Sequence, residues 1–334
     1  MTNRNATSVV FGWDFQVNAA IVIMLENIKE LTSIRLEGKN EDIEIDLNDG
    51  SCILAQAKSV VRSSEDFSHV LDNLKKSLKS LSEAYRDRKS VKKLIYITNS
   101  PNPLSVTKEQ FIFAGFPTRR KYESLPEKSR KQIDKILKNI EIPLDTSNLT
   151  IQTLPFETED DNEKYKFVLE AIREFISQFN SNNKISKVNL HKVWTNDIFK
   201  SGSKKDTNLN LSKKDLIWPI IVTVTSDIES ESEWDEAIFD EISRAYKDII
   251  NTCCEKYEFM TSILSEYNDY QTDKNYSERS KNFIQNESSK FAYILDDNSL
   301  TLDNSLRETL LKVIIKNIIN KRYQIDQIKS SVNL

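Results

Sequence analysis

The sequence predicts a mixed α/β domain followed by an all-α module. Three observations predict it. Segments of helical and of strand periodicity alternate over the first 180 residues. An Asn48-Asp49-Gly50 turn joins two segments that alternate apolar and polar residues. Beyond residue 230 the long patterns are all helical. At 334 residues the chain suits two domains. The expected bounds are 1–180 for the α/β domain with a central mixed sheet, 181–230 for a connecting segment, and 231–334 for a helical module.

Residues 12–31 read as a helix, with Phe15, Ala19, Val22, Ile23 and Ile28 at helical spacing. Ser33–Leu36 is a short strand. Asp42–Leu47 puts Asp42, Glu44 and Asp46 on one face and Ile43, Ile45 and Leu47 on the other. Ser51–Val60 alternates too, with Gln56 and Lys58 sharing a face. The turn between them leaves two registers open. A three-residue loop with Gly50 left-handed pairs positions that sum to 98 and sets Asp42 opposite Gln56. A two-residue Asp-Gly turn pairs positions summing to 99 and sends Asp42 to the other face. Phe67–Arg88 is a helix with a Leu71, Leu74, Leu78, Leu81, Tyr85 stripe. Leu94–Thr98 is a buried strand, Ser124–Asn139 a basic helix, Leu149–Leu154 a strand and Asp160–Phe179 a helix. Ser201–Lys214 reads as loop or linker, and Leu216–Val224 is ambiguous. Glu233–Tyr267 carries one long helical stripe (Ile238, Ile242, Ala245, Ile249, Cys253, Met260), and Leu306–Ile328 another (Leu310, Val313, Ile314, Ile318). Such stripes serve equally an internal core or a docking surface for a helical partner.

Composition excludes several functions. Only 5 glycines occur, and none form a Walker loop or a dinucleotide fingerprint. Three cysteines (Cys52, Cys253, Cys254) and two histidines (His69, His191) cannot supply a structural zinc site on their own. The Cys253-Cys254 pair fits free thiols in a reducing compartment. A metal bound by this chain would be a hard cation on carboxylates. The longest uninterrupted apolar run, Ala19–Leu25, is far short of the roughly 20 residues of a membrane span. No leader pattern is seen, so the expected location is the bacterial cytoplasm, with no membrane partner.

The net charge of −4 conceals an asymmetry. Residues 62–138 hold 18 basic and 9 acidic side chains, directly after the acidic cluster at 37–49. An acidic pocket beside a basic flank suits a metal centre next to a phosphate grip, although charge alone favours a solvated basic face. Arg62, Arg86, Arg88, Lys92, Lys93, Arg119, Arg120 and Lys121 are the candidate DNA contacts.

The polar strand positions Glu37, Asp42, Gln56 and Lys58 carry the chemistry. The two-residue step from Gln56 to Lys58 puts both on one strand face. Phosphodiester hydrolysis needs a carboxylate on a metal, a second oxygen ligand, and a cation beside the attacking water.

These residues resemble a known family. Leu36-Glu37-Gly38, Glu41-Asp42-Ile43 and Ala55-Gln56-Ala57-Lys58 are similar to the PD-(D/E)XK nuclease core. The likeness is to its Gln-x-Lys variant, found in Cap-four-type double-stranded DNA endonuclease domains of bacterial antiphage systems. Gly12-Trp13-Asp14-Phe15-Gln16 resembles the first helix of those domains, and Ile95-Tyr96-Ile97-Thr98-Asn99 their following strand. The resemblance covers about residues 9–180. It implies Asp42 as the chief metal ligand, Gln56 as a ligand through its amide oxygen, and Glu37 as an additional ligand. Lys58 would orient water and stabilise charge on phosphate. Magnesium is the implied cofactor, with manganese as an alternative, and double-stranded DNA the implied substrate. The Gln at 56 gives one anion fewer than the usual acid.

The layout resembles the nuclease subunit of Lamassu-type systems. That implies restraint by an SMC/Rad50-like ATPase, an accessory subunit, and homo-oligomerisation on activation. The alternative is a catalytically inactive nuclease-fold assembly subunit that binds partner proteins or DNA. A site-specific restriction nuclease is a third reading, disfavoured by the acidic helical module.

Overall fold

The computed structural model describes residues 6–63, 65–114, 117–157, 160–179, 185–204, 206, 210–226, 228, 235–250, 256–270, 276–295 and 303–334. Two compact units are present: Met1–Ile176 with Lys187–Lys213, and Ser177–Ser186 with Lys214–Leu334. Residues 187–213, within the stretch read as a connecting segment, thus belong to the first unit. Cys253 and Cys254 lie outside the described residues.

The first unit runs α1 (Ala6–Glu26), β1 (Leu31–Leu36), β2 (Ile43–Leu47), β3 (Cys52–Lys58), α2 (Val70–Asp87), β4 (Val91–Thr98), β5 (Thr118–Lys121), α3 (Glu127–Leu137), β6 (Leu149–Thr153), α4 (Asp161–Lys164), α5 (Lys166–Ile176), α6 (Lys187–Gly202) and β7 (Leu211–Ser212). The sheet has seven strands in the order β5-β6-β4-β3-β2-β1-β7. The pairs β3/β4 and β4/β6 are parallel and the remainder antiparallel, so the expected mixed sheet is present. Of the two registers left open by the sequence, β2 and β3 take the one in which Ile43 faces Ala55. Gly50 has φ +78°, a left-handed turn position that costs glycine nothing.

Strand alternation explains the layers. Cys52 and Leu54 of β3, Leu94 and Tyr96 of β4, and Leu149 and Ile151 of β6 point to one face. There they meet Leu74, Leu78, Leu81 and Ala84 of α2 and Ile133, Ile136 and Leu137 of α3. Each fully buried leucine contributes roughly 1.5–3 kcal/mol of transfer free energy. The opposite face is covered by α1, which packs on β1, β2 and β3 and is flanked by α5 and α6.

Helix α1 differs from the reading by uninterrupted apolar run. Ser8–Glu26 is long and apolar enough to cross a membrane by length and composition, at mean hydropathy 1.6. Here it is a core helix: Phe15, Val17, Ala19, Ala20, Ile21, Ile23 and Met24 are buried. Asp14, Gln16 and Asn18 broke the apolar run, and each has a specific partner, described below.

Other boundaries moved for local reasons. The Asp160–Phe179 pattern contains two helices, α4 and α5, separated at Tyr165. Strand β5 (Thr-Arg-Arg-Lys) has no apolar alternation to announce it, and its charges suit a sheet edge. Strand β7 is only two residues long.

The second unit is helical: α7 (Lys213–Thr225, whose first residue belongs to the first unit), α8 (Glu236–Ile250), α9 (Lys256–Asp269), α10 (Tyr276–Glu287) and α11 (Asn304–Val332). The ambiguous Trp218-Pro219 segment is helical, with Pro219 inside α7. The long stripe over 233–267 is carried by two helices, α8 and α9, both packed on α11. Asp303 caps α11, its carboxylate accepting from Leu306 N–H at 2.8 Å. Ile242, Ala245, Ile249, Met260, Leu310, Ile314 and Ile318 are buried, so the stripes form a core. Within it, Thr225 C=O accepts from Tyr246 Oη at 2.6 Å and Asn317 Nδ2 at 2.6 Å.

Candidate active site

The site is built at the end of β3 and in the hairpin between β1 and β2. The hairpin closes with Glu37 N–H donating to Asp42 C=O at 2.8 Å and Gly38 N–H to Glu41 C=O at 3.0 Å. Glu44 anchors its tip: Oε1 accepts from Asn40 N–H at 2.6 Å and Glu41 N–H at 3.2 Å. A Cβ at Gly38 would fall on the Glu44 carboxylate, so glycine is required there. Glu37 adopts φ +48°, a left-handed conformation that costs a non-glycine residue energy and points to a function.

Continuing the β2/β3 register sets Asp42 opposite Gln56. Asp42 Oδ2 accepts from Gln56 Nε2, from Ala57 N–H at 3.0 Å, and from Lys58 Nζ at 3.4 Å. Rotating the Gln56 amide by half a turn would aim its oxygen where the NH2 group now points. The Asp42 side chain is 20% exposed and that of Lys58 31%, so the group opens to solvent at its rim. Glu37 is held apart from this convergence. Its Oε1 accepts from Gln16 Nε2 at 2.9 Å, and the same Nε2 is 3.4 Å from Asp42 C=O. Helix α1 therefore delivers a buried glutamine that ties Glu37 to the hairpin. Asn99, after β4, staples the end of β3 from the other side. Its Oδ1 accepts from Val60 N–H at 2.9 Å, and its Nδ2 donates to Val60 C=O and Phe156 C=O, each at 2.8 Å.

Asp42, Gln56 and Lys58 are thus brought together, with Glu37 adjacent through Gln16. Two participants escaped the sequence reading: Glu41 and the Gln16 tie. Glu41 is 5% exposed, and its Oε1 has no hydrogen-bond partner. Burial, helped by the Asp42 charge, pushes its carboxyl up to about 8, against a side-chain hydrogen bond from Ser80 of α2, the Asp42 N–H and the Lys58 charge. The available signal was the Glu41-Asp42 doublet inside a tight hairpin, where neighbouring carboxyls cannot both be solvated.

A hard divalent cation fits this donor set with few anions. Asp42 offers a carboxylate, Gln56 an amide oxygen, and water would fill the remaining positions. Among the described residues no three His, Cys, Asp or Glu side chains cluster closely enough to enclose a metal.

The eight basic candidates divide by position. Arg62 lies just beyond β3, 78% exposed and 3.9 Å from Glu65. Lys93 pairs with Ile53 and Thr98 with Lys58, so Lys92 and Lys93 lie roughly 16 Å from Lys58 along the strands. Lys92 bridges Glu30 at 3.0 Å and Asp49 at 3.1 Å, and Lys93 donates to Asn27 Oδ1 at 2.6 Å. Arg88 is bound to the buried Glu44 at 2.6 Å, Arg119 to Glu26 at 2.7 Å, and Arg86 to Asp87 at 3.0 Å. Arg119, Arg120 and Lys121 lie on the edge strand β5, three strands and about 14 Å from β3.

No protein-family model and no curated protein matches the chain. Among solved structures, the chain is similar to one described as a Moraxella osloensis Cap4 SAVED/CARF-domain containing receptor. The identity is 14% and the TM-score 0.34, covering 70% of this chain and 56% of that one. The chain thus spans little more than half the length of the receptor it resembles.

Proposed function

We propose that the chain is a divalent-cation-dependent DNA endonuclease of a bacterial antiphage system, restrained by a partner complex containing an SMC-like ATPase. One observation carries the enzymatic reading. The Gln56 amide, the Ala57 N–H and the Lys58 ammonium converge on a single Asp42 carboxylate oxygen at the C-terminal end of β3. A carboxylate, an amide and a lysine at that place are what phosphodiester cleavage requires.

Each residue then has a defined task. Asp42 and the Gln56 amide oxygen would hold magnesium, or manganese in its place. When bound, the cation supplies Lewis-acid polarisation of the phosphate and acidifies water. Lys58 leaves Asp42 to orient the attacking water and to meet the negative charge that grows on phosphate. Gln16 fixes Glu37 at the rim, where its carboxylate would accept a hydrogen bond from the attacking water. The restraint by a partner rests on the chain's layout and on the hazard of an unrestrained nuclease to its own genome.

The test is plasmid cleavage by the purified full chain in magnesium or EDTA, beside Lys58→Ala. Magnesium-dependent cutting that falls at least about 100-fold in the variant is the expected result. Equal cutting by Lys58→Ala would overturn the assignment. A second reading, a catalytically inactive assembly subunit, is favoured by the lack of a three-acid cluster among the described residues. It predicts no cutting by the chain even with its co-purified partners, and unchanged partner binding by Asp42→Ala.

A further inference from the structure

The four carboxylates nearest the tip of the hairpin, Glu37, Glu41, Asp42 and Glu44, are not equivalent. Glu44 is fully engaged by two backbone N–H groups and the Arg88 guanidinium. Asp42 takes three donors, and Glu37 takes Gln16. Glu41 differs. Its Oε2 is 3.4 Å from Asp42 N–H, a long contact, and its Oε1 has no partner although the residue is 95% buried, being 5% exposed. A buried carboxylate oxygen without a donor loses its hydration with nothing in return, which destabilises the fold. Such a cost persists in a fold when something else supplies the missing positive charge.

The surroundings define what that something is. Glu41 lies within electrostatic reach of Asp42 and Lys58, and the side-chain hydrogen bond it takes from Ser80 of α2 leaves Oε1 without a partner. Asp42 raises the cost of a second negative charge here and Lys58 lowers it. A small cation between the two carboxylates would satisfy both and would displace Lys58 toward the substrate. The donor set of Asp42 with Gln56 is one anion short for tight binding of a divalent ion, and Glu41 is the adjacent group able to make up that deficit.

We propose that Glu41 is a second anionic ligand of the cation at Asp42 and Gln56. This rests on the metal-site reading above and adds to it. It also explains how a glutamine is tolerated at 56: the second charge comes from the hairpin instead of from β3. Glu37, tied to Gln16, then serves the cation's water shell.

The experiment is binding of manganese alone to the purified full chain, by calorimetry and by the electron paramagnetic resonance of free Mn2+. DNA is absent, so no activity enters. Wild type binds one ion, and Asp42→Asn abolishes binding. Glu41→Gln, nearly the same shape, weakens it at least about tenfold, since even ligand-orienting partners cost 10–100-fold. Glu41→Asp keeps the charge and retains part of the affinity, which a purely structural role would not allow. Glu83→Gln, on the exposed side of α2, binds as wild type. Glu41→Gln with wild-type affinity, while Asp42→Asn still fails, would overturn this inference and leave the metal site standing. No binding by wild type would overturn both. Circular dichroism of each variant separates lost binding from lost folding. Should Glu41→Gln fail to fold, Glu41→Asp decides: undiminished affinity in that shortened side chain overturns the inference, and a partial loss supports it.

Discussion

Helix α1 serves two buried polar clusters built on opposite rules. Asp14 and Asn18, one turn apart, face α5 and α6, whereas Gln16, about 200° round the helix from Asp14, faces the hairpin. On the first side the polar contacts are reciprocal. Asp14 Oδ2 takes Lys164 Nζ at 2.5 Å and Tyr165 Oη at 3.0 Å, and Asp14 Oδ1 takes Asn18 Nδ2 at 3.0 Å. Asn18 Oδ1 meets His191 Nε2 at 2.7 Å. Lys164 also lies over Phe11, Phe156 and Tyr165, 5.0–5.5 Å from the ring centroids. On the hairpin side one carboxylate oxygen is crowded by three donors, another has none, and Glu37 is in a left-handed conformation. A satisfied network specifies the fold, while an unsatisfied one is kept for what it will bind.

The largest expected effect that would break this contrast is on stability. Asp14→Ala leaves a mostly buried lysine unpaired and should cost about 2–4 kcal/mol, read as a lower urea midpoint. Asp42→Asn should move that midpoint by less than about 1 kcal/mol while abolishing DNA cleavage. Equal destabilisation by the two would mean that the hairpin cluster is structural as well.

A smaller effect concerns pH. Burial holds the His191 imidazole below its usual range, against the pull of Asp14. Asn18 spends its NH2 on Asp14, so its oxygen accepts and His191 Nε2 carries the proton. With a folded pKa below the unfolded value of about 6.5, the folded state binds fewer protons than the unfolded state. Stability is therefore complete above pH 6.5 and falls as pH drops through that value. Between pH 7.5 and 5 wild type should lose more stability than His191→Gln, measured by urea unfolding at both pH values. Equal losses would show that the ring takes up a proton as readily in the folded state as in the unfolded one, so that its burial does not set the pH dependence.

Much of this was legible beforehand, for identifiable reasons. The Gln56–Lys58 face and the reduction to two registers follow from a side-chain period of two, while the choice between those registers was made only by the observed pairing of Ile43 with Ala55. What could not be read was anything decided by distant partners. Nothing in the sequence says that Arg88 is committed to Glu44, 44 residues away, or that Gln16 reaches Glu37. Strand β5 carries no apolar pattern because an edge strand needs none. The helical stripes of the second unit had two physical readings, and only packing could show that they are buried in that unit's own core.

The smallest expected effect bears on where DNA would run under the proposed function, and it compares the two ends of β3 and β4. At the site end Arg62 is largely solvated and only 3.9 Å from one exposed partner, Glu65. At the other end Lys92 is shared between two carboxylates and Lys93 is half-buried. A phosphate passing Lys58 can recruit Arg62 cheaply, but would have to displace Glu30 and Asp49 to recruit Lys92. In a Lys58→Ala background, which binds without cutting, Arg62→Ala should weaken DNA binding a few-fold for every sequence. It should also lower the slope of log affinity against log salt by about one. Lys92→Ala should leave both unchanged. Fluorescence anisotropy over a salt series measures this. The reverse ranking would move the DNA track to the base of the sheet, and Asp42 would then lie too far from phosphate to act on it.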